Sequence, residues 1–429
     1  LDVWFDSGVS TWAALEYPRK KELFEKLWPA DFETEGPDQI RGWWNSQMIT
    51  SILTFGKAPF KNILFHGFVL DAKGVKMSKS KGNVVEPQTV IEKYGTDALR
   101  FSLIALKTET PYIRFSEERV KGYRNFANKV WNASRFVLMN LADFYPSKVS
   151  FGKEDLELCD RWILSHYRKT IGEVTEKLEE FQFPQAAQTL YQFIWTDFCD
   201  WYLELVKSRL KKESKSRRVA QFVLYKVLKG TLKLLHPFMP FLTEEIFQRL
   251  PEREESIMIS DWPEEEKIED EEAEREMALI MQVIIEARTI RSEMRIPPQS
   301  KIELLLRTSN SESLEILREN SSYIIDLVNT QKLVIDPGIE KPKVCASGMV
   351  KDIDIFVPLE KLIEVAKEKN RLAKELEKIK GELARCEKKL FSSEFLKKAP
   401  YEVVEKEKKK KIELKLRFEK LRKRLEDIS

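Results

Sequence analysis

The sequence predicts a multidomain chain that begins as α/β, continues as an all-α bundle and ends in an antiparallel coiled coil. Three observations carry this prediction. Short apolar runs alternate with Gly-containing turns up to about Leu106, apolar residues recur at three and four from about Glu117 to Leu250, and a three-then-four seam runs from Leu362 to Leu390. At 429 residues the chain exceeds what one compact core accommodates, so several domains are expected. The pattern divides it into segments 1–116, 117–255, 256–358 and 359–429.

In the first segment, Asn62 to Leu70 reads as a buried strand entering a loop. In the second, Val130, Ala133, Phe136 and Val137, then Val223, Val227, Leu232 and Leu235, draw helical stripes. Pro146, Pro184, Pro237 and Pro240 mark helix ends, because proline lacks the amide donor and clashes with the preceding turn. The third segment is a small α+β element: a helix over Glu272 to Met294 ending at Ile296-Pro-Pro, then strands at Ile302 to Leu306 and Ile353 to Val357. In the last, Leu372, Leu376, Ile379, Leu383, Cys386 and Leu390 form one seam, and Val404, Leu414, Phe418, Leu421, Leu425 and Ile428 a second, with Phe391 to Pro400 between them.

Charge nearly cancels to +3, so a phosphate-bearing partner must be sought in local patches. Leu359 to Ser429 supplies one, with 23 Lys and Arg against 15 Asp and Glu. Cys159, Cys199, Cys345 and Cys386 lie far apart without a C-x-x-C pair, which argues against a disulfide framework or a zinc site and for buried thiols in a reducing cytoplasm. Neither a membrane-spanning apolar run nor a signal-peptide layout is present, and a cytoplasmic chain is expected. It opens without methionine at Leu1-Asp-Val-Trp-Phe, which reads as a cut or splice point.

The segment with most chemical content is Asp71-Ala-Lys-Gly-Val-Lys-Met-Ser-Lys-Ser-Lys-Gly-Asn83. Its lysines, Lys76, Lys79 and Lys81, carry ammonium groups on flexible stems beside the Ser78 and Ser80 hydroxyls. Such a set suits a triphosphate whose charge shifts as the bond between its α- and β-phosphates breaks. Elsewhere, Glu35 or Asp38 has the chemistry to hold ribose hydroxyls or an α-ammonium group, and Trp43 or Trp44 to wall an apolar pocket, although tryptophans at this spacing equally serve a core.

Lys76-Met-Ser-Lys-Ser80 resembles the K-M-S-K-S signature of class I aminoacyl-tRNA synthetases, and His66-Gly-Phe-Val-Leu70 and Gly82-Asn-Val-Val-Glu-Pro87 resemble its flanks. The resemblance implies the C-terminal half of a Rossmann-like nucleotide-binding domain, a helical anticodon-binding domain and ATP with its Mg2+ as substrate. It assigns ATP contact to His66, Gly67, Lys76, Met77, Ser78, Lys79 and Ser80, with Lys79 the main catalytic cation and Lys76 in support. Gly122 to Leu138, Phe198 to Glu204, Leu234 to Pro240 and the basic terminal hairpin resemble the valyl branch. Leu1 to Gly8 and Glu35 to Trp44 resemble the isoleucyl branch instead, whose pattern puts Glu35, Gly36, Asp38, Gln39 and Trp43 around the aminoacyl-adenylate.

The family's H-I-G-H element is absent; the histidines here are His66, His166 and His236, the last two expected to be structural, as are Cys199 and Trp201. An N-terminal polypeptide carrying H-I-G-H and the editing insertion is therefore the implied partner, and a non-catalytic tRNA-binding fragment the alternative. Transfer RNA is the expected nucleic-acid partner. Lys408, Lys409, Lys410, Lys411, Arg422, Lys423 and Arg424 cluster on the last helix where they would meet its phosphates, and Arg124, Lys129 and Arg135 lie along one helical tract.

Overall fold

The computed structural model describes residues 2–105, 112–264, 269–359, 365–391 and 400–427, without the side chains of 365–370, 423–424 and 426–427. It is mostly helical with three small sheets, and separates into two compact units. The first comprises Leu1–Phe151, His166–Leu203 and Glu213–Ile268; the second comprises Gly152–Ser165, Glu204–Lys212 and Glu269–Ser429.

The first unit opens with helix α1 (Val3–Gly8), capped by the Asp2 side chain. Strand β1 (Glu33–Glu35) pairs in parallel with β2 (Ile63–Phe65), and between them runs α2 (Trp43–Phe55), which ends at left-handed Gly56. Strand β3 (Val69–Leu70) pairs in parallel with β4 (Ile113–Arg114). The single buried strand expected from Asn62 to Leu70 is thus two short ones, broken at His66 to Phe68, with Ile63 and Phe65 exposed. Each strand has one neighbour among the described residues, so its side chains are covered on few sides. Trp12, Phe24 and Trp28 form a separate aromatic core with Phe55, whose ring lies 5.0 Å from that of Phe24.

Helices α3 (Pro87–Tyr94) and α4 (Thr96–Ile104) lead into the bundle: α5 (Glu117–Asn140), α6 (Leu158–Glu179), α7 (Phe183–Gln192), a π-helical continuation over Phe193–Tyr202, α8 (Lys215–Leu235) and α9 (Pro240–Phe247). Prolines open α3, α7 and α9, where their missing amide costs no helical hydrogen bond. Phe101, Phe126, Phe193, Phe198 and Phe238 are fully buried here, and Asp97 accepts a hydrogen bond from the Leu242 amide at 2.6 Å, fastening α4 to α9.

The second unit is built on α10 (Glu271–Glu293), capped by Asp270. A four-stranded sheet has the order β6-β5-β8-β7, from β5 (Ile302–Arg307), β6 (Thr330–Ile335), β7 (Cys345–Val350) and β8 (Ile353–Pro358); β5 and β6 are parallel, the other pairs antiparallel. Helices α11 (Ser311–Glu319) and α12 (Ser321–Val328) connect β5 to β6. Asp160, completely buried, receives the Arg209 guanidinium at 2.8 and 2.9 Å, and Arg161 makes a second two-bond pair with Asp270 at 2.7 and 3.0 Å. The Tyr323 hydroxyl lies 3.5 Å from the Cys159 amide.

Helices α13 (Val365–Phe391) and α14 (Tyr401–Asp427) pack on each other. Leu372, Ile379 and Cys386, seven apart, are buried with Val404, Leu414 and Leu421. Ion pairs Glu375–Arg417 (2.7 Å), Glu387–Lys411 (3.0 Å) and Lys389–Glu407 (3.3 Å) join rising positions on one helix to falling positions on the other. Of the predicted seams, Leu362 and Ile428 lie outside the described residues, as does most of Phe391 to Pro400. All four cysteines are buried free thiols. Among the described residues no helix is long and apolar enough to cross a membrane.

Candidate functional site

The loop of residues 71–83 is shaped from within. Asp71 Oδ1 accepts the amides of Lys73 (2.9 Å) and Val75 (2.8 Å), the local turn that an aspartate makes with the backbone after it. Its other oxygen accepts from Asn83 Nδ2 at 2.9 Å, and Asn83 Oδ1 accepts the Ser78 amide at 3.0 Å. The two ends of the loop are thereby tied across twelve residues. Together, the Asn83 bond and the two amides hold the Asp71 carboxyl below the usual range. Gly74 and Gly82 have φ of +80° and +63°, a conformation that charges a side chain for steric strain, so both turns favour glycine.

Within the loop the side chains divide. Met77, partly buried, packs against the cluster of Val90, Ala98, Phe115 and Val120 and so ties the loop to it. Lys76 lies over the Phe68 ring at 4.2 Å, and the Ser78 and Ser80 hydroxyls are 3.2 Å apart. Lys79 and Lys81 sit in a single 3-10 turn, Lys79 to Lys81, exposed to solvent.

The second predicted cluster is brought to the first through the backbone. The His66 amide donates to the Glu35 carbonyl at 3.2 Å, extending the β1–β2 ladder by one residue. An added Cβ on Gly36 would stand 3.8 Å from the Phe68 ring, the ring that Lys76 covers. Glu35, Gly36, His66, Phe68 and Lys76 are therefore neighbours, with Gly36 itself buried. His66 Nδ1 lies 3.2 Å from the Gly67 carbonyl, a contact that requires the ring nitrogen to donate.

In the rest of Glu35 to Trp44, Gln39, Trp43 and Trp44 brace inward, while Asp38, Ile40 and Arg41 are exposed. Asp38 accepts from Gln39 Nε2 (3.1 Å), Gln39 Oε1 accepts the Trp43 amide (3.0 Å), and the Trp43 indole donates to the Ser7 carbonyl (3.0 Å) on α1. Trp44 is buried, and its indole donates to Glu33 at 2.9 Å; Gln47 Nε2 donates to the same carboxylate oxygen at 3.1 Å. Burial, the largest influence, raises the Glu33 pKa above its usual value despite those two bonds. The sequence did not single out Glu33. The signal was the alternation of β1, which turns Glu33 inward and Thr34 outward.

The remaining candidates are dispersed. His166 pairs with Asp197 at 3.0 Å and His236 with Thr243 at 2.7 Å; Cys199 and Trp201 are buried. Lys129 is held by Asp200 at 2.5 Å and lies 3.8 Å over Trp195, while Arg124 and Arg135 are exposed. On α14, Lys408 pairs with Glu405 (2.8 Å), Lys411 with Glu387 and Arg422 with Glu419 (3.1 Å), whereas Lys409 and Lys410 point to solvent. The side chains of Lys423 and Arg424 lie outside the described residues.

Three family models match the chain: tRNA synthetases class I (I, L, M and V) over residues 1–116, the anticodon-binding domain of tRNA ligase over 160–306, and the valyl tRNA synthetase tRNA binding arm over 364–429. Valine–tRNA ligase of Carboxydothermus hydrogenoformans is 44% identical over 411 residues, covering 96% of this chain and 46% of that protein. The ligase of Geobacter sulfurreducens is 40% identical over 418 residues, with 96% and 47% covered. That of Bacillus subtilis is 38% identical over 431 residues, with 100% and 49% covered. The chain thus spans about half the length of the curated relatives it matches. From the K-M-S-K-S loop to the paired terminal helices, the chain belongs to the class I aminoacyl-tRNA synthetases and corresponds to the C-terminal part of the valyl branch.

Proposed function

We propose that this chain supplies the K-M-S-K-S half of an adenylate-forming site, and the tRNA-binding body, of a valine–tRNA ligase. The observation that carries the reading is the juxtaposition of Glu35, Gly36, His66 and Phe68 with Lys76 of the K-M-S-K-S loop. In the reaction a valine carboxylate oxygen attacks the α-phosphorus of ATP, pyrophosphate leaves, and the valyl carbonyl then passes to a terminal ribose hydroxyl of tRNA as AMP departs. Magnesium arrives with the triphosphate. Lys79 and Lys76 meet the charge that grows on the departing phosphates, and the exposure of Lys79 on a turn anchored by Met77 lets it reach in while its base stays fixed. His66, Gly67, Ser78 and Ser80 line the nucleotide side. Glu35, Gly36 and Asp38 line the adenylate side, with Gln39 and Trp43 bracing that wall.

Completion of the site falls to another polypeptide segment bearing the H-I-G-H element. The outward face of α2 supports this, with Ile49, Ile52 and Leu53 exposed at three-and-four spacing beside a parallel sheet of two strands. In an enzyme reconstituted with that segment, Lys79→Ala lowers valine-dependent pyrophosphate exchange by about 100- to 1,000-fold; near-normal exchange would overturn the assignment. Isoleucine-dependent exchange in its place would move the chain to the isoleucyl branch. Activity of no kind after reconstitution would leave a non-catalytic tRNA-binding chain.

Transfer RNA is held at two places on this reading. The paired helices α13 and α14 form an antiparallel coiled-coil arm whose Lys409 and Lys410 face the tRNA body. A cleft of about 380 Å³ lined by Asp143, Tyr145, Lys148, Lys215 and Arg218 suits a splayed loop base, with Lys148 lying 4.6 Å over the Tyr145 ring. Deleting residues 359–429 weakens tRNA binding and spares adenylate formation; unchanged tRNA affinity at moderate salt would refute the arm's role.

A further inference from the structure

Strand β3 joins two other backbones. On one side Leu70 pairs in parallel with Arg114 of β4, and on the other it makes an antiparallel bridge with Lys76 of the K-M-S-K-S loop. Directly opposed residues project to the same side of a ladder, and sequence neighbours to opposite sides. The packing follows that alternation. Val69, Met77 and Phe115, each next in sequence to one of the three, turn inward to the cluster that holds Val90, Ala98 and Val120. Leu70, Lys76 and Arg114 therefore share the outer side, and Lys76 and Arg114 are exposed there. The two cations flank Leu70, two strand spacings or about 10 Å apart at the backbone. Their places are fixed by bonds from the Phe115 amide to the Leu70 carbonyl (2.9 Å) and from the Asp71 amide to the Val75 carbonyl (2.9 Å).

The Arg114 guanidinium lies on the turn that closes this bridge. A Cβ added to Gly74 would meet Arg114 Nε at 3.1 Å and Cζ at 3.3 Å, so the turn carries no side chain where the guanidinium sits. The carboxylates nearest in sequence to the two cations are engaged. Asp71 accepts from the Lys73 and Val75 amides and from Asn83, and Glu117 accepts from Lys93 at 2.7 Å and Tyr94 at 2.9 Å. Among the described residues the Arg114 guanidinium makes no ion pair of its own. Toward a phosphate it can donate two parallel N–H bonds, where the Lys76 ammonium acts as a point charge. An exposed guanidinium in register with Lys76 thus faces the same ligand as the loop, from a strand that stays in place.

We propose that Arg114 is a further catalytic residue of adenylate formation, which with Lys76 clamps the β- and γ-phosphates of ATP and then the leaving pyrophosphate. As the valine carboxylate oxygen bonds to the α-phosphorus, the bond from that phosphorus to the bridging oxygen breaks. Its electron pair passes to the bridging oxygen, and Arg114 donates to the charge gathered on pyrophosphate. The inference rests on the adenylate-forming reading above and adds a cation from outside the K-M-S-K-S motif. The test is valine-dependent pyrophosphate exchange by the reconstituted enzyme, with Arg114→Ala and Arg114→Lys beside Lys79→Ala. Arg114→Ala raises KM for pyrophosphate and for ATP about tenfold and leaves KM for valine at the parent value. Arg114→Lys recovers part of that loss, since the charge remains without the fork. Arg114 is exposed, so the thermal melt stays at the parent value. A lowered melt with a raised KM for valine would make Arg114 a strut under the Gly74 turn and overturn the proposal. Parent KM for pyrophosphate in Arg114→Ala beside a defective Lys79→Ala would also overturn it, and would leave the adenylate-forming reading standing. Absence of exchange by the parent enzyme would remove that reading and this inference with it.

Discussion

The helical bundle after residue 117 and the segment before it solve the burial problem differently. The bundle hides Phe126, Phe193, Phe198 and Leu224 almost completely, whereas the first segment leaves Trp4, Ile49, Ile52, Leu53 and Phe65 in water. Leu53 alone is 81% exposed. Two-stranded parallel sheets cannot cover their own faces, while antiparallel helices joined by short turns can. The bundle should therefore hold its structure by itself, and the first segment should gain most of its rigidity from whatever covers α2.

The contrast is sharpest for Phe126→Ala. Phe126 is wholly buried, with ring centroids of Tyr191 at 4.7 Å and Phe101 at 5.4 Å, and truncation costs about 3–5 kcal/mol in a denaturant titration. A loss below about 1 kcal/mol would break the comparison. Next comes Glu33→Ala, which strands the Trp44 indole and the Gln47 amide in a buried place and costs about 1–3 kcal/mol, read as faster amide exchange in α2.

Asp143→Asn in the bundle costs about 1 kcal/mol at neutral pH, discounted because the carboxylate is half exposed. Its bond from Arg217 lowers the Asp143 pKa from 3.8 to about 2, so the stabilisation is complete above pH 3.8 and lost as pH falls through 2. Glu33 has the opposite sign. Burial raises its pKa above 4.5, so the native state keeps its proton longer than the unfolded chain, and its contribution declines as pH rises from 4.5. Melting curves across pH 2 to 7 check both directions. Smallest is Leu53→Gln, within about 0.5 kcal/mol for the chain alone; a larger loss would mean that α2 is already covered.

Legibility followed the same divide. Helical periodicity announced α10 nearly to its ends and marked apolar stripes inside α5 and α8, because a self-sufficient helix must carry its apolar stripe in its own sequence. The first segment was legible through the K-M-S-K-S residues and hardly through periodicity, since strands of two and three residues hold too few positions to alternate. The roles of Asp71 and Asn83 as loop ties, Met77 as an anchor and Phe68 as the seat of Lys76 are set by contacts across the chain that spacing does not reveal. Edge strands β6 and β7 escaped for a related reason: each is half exposed, and a mixed pattern replaces alternation.

The bonds that close the second unit also set a timetable. Cys159 and Asp160 are buried by partners far downstream, and the Tyr323 hydroxyl that meets the Cys159 amide is 164 residues away in the chain. At ribosomal speeds of about 5–20 residues per second, that separation is on the order of ten to thirty seconds of synthesis. Arg209, which pairs with Asp160, follows after 49 residues, whereas the Tyr323 contact to the Cys159 amide waits for the whole interval. The Tyr323 contact is therefore among the last that the second unit can make during synthesis, and cysteine labelling of nascent chains is expected to reach the Cys159 thiol before Tyr323 emerges and to lose it in the finished chain, where the residue is fully buried.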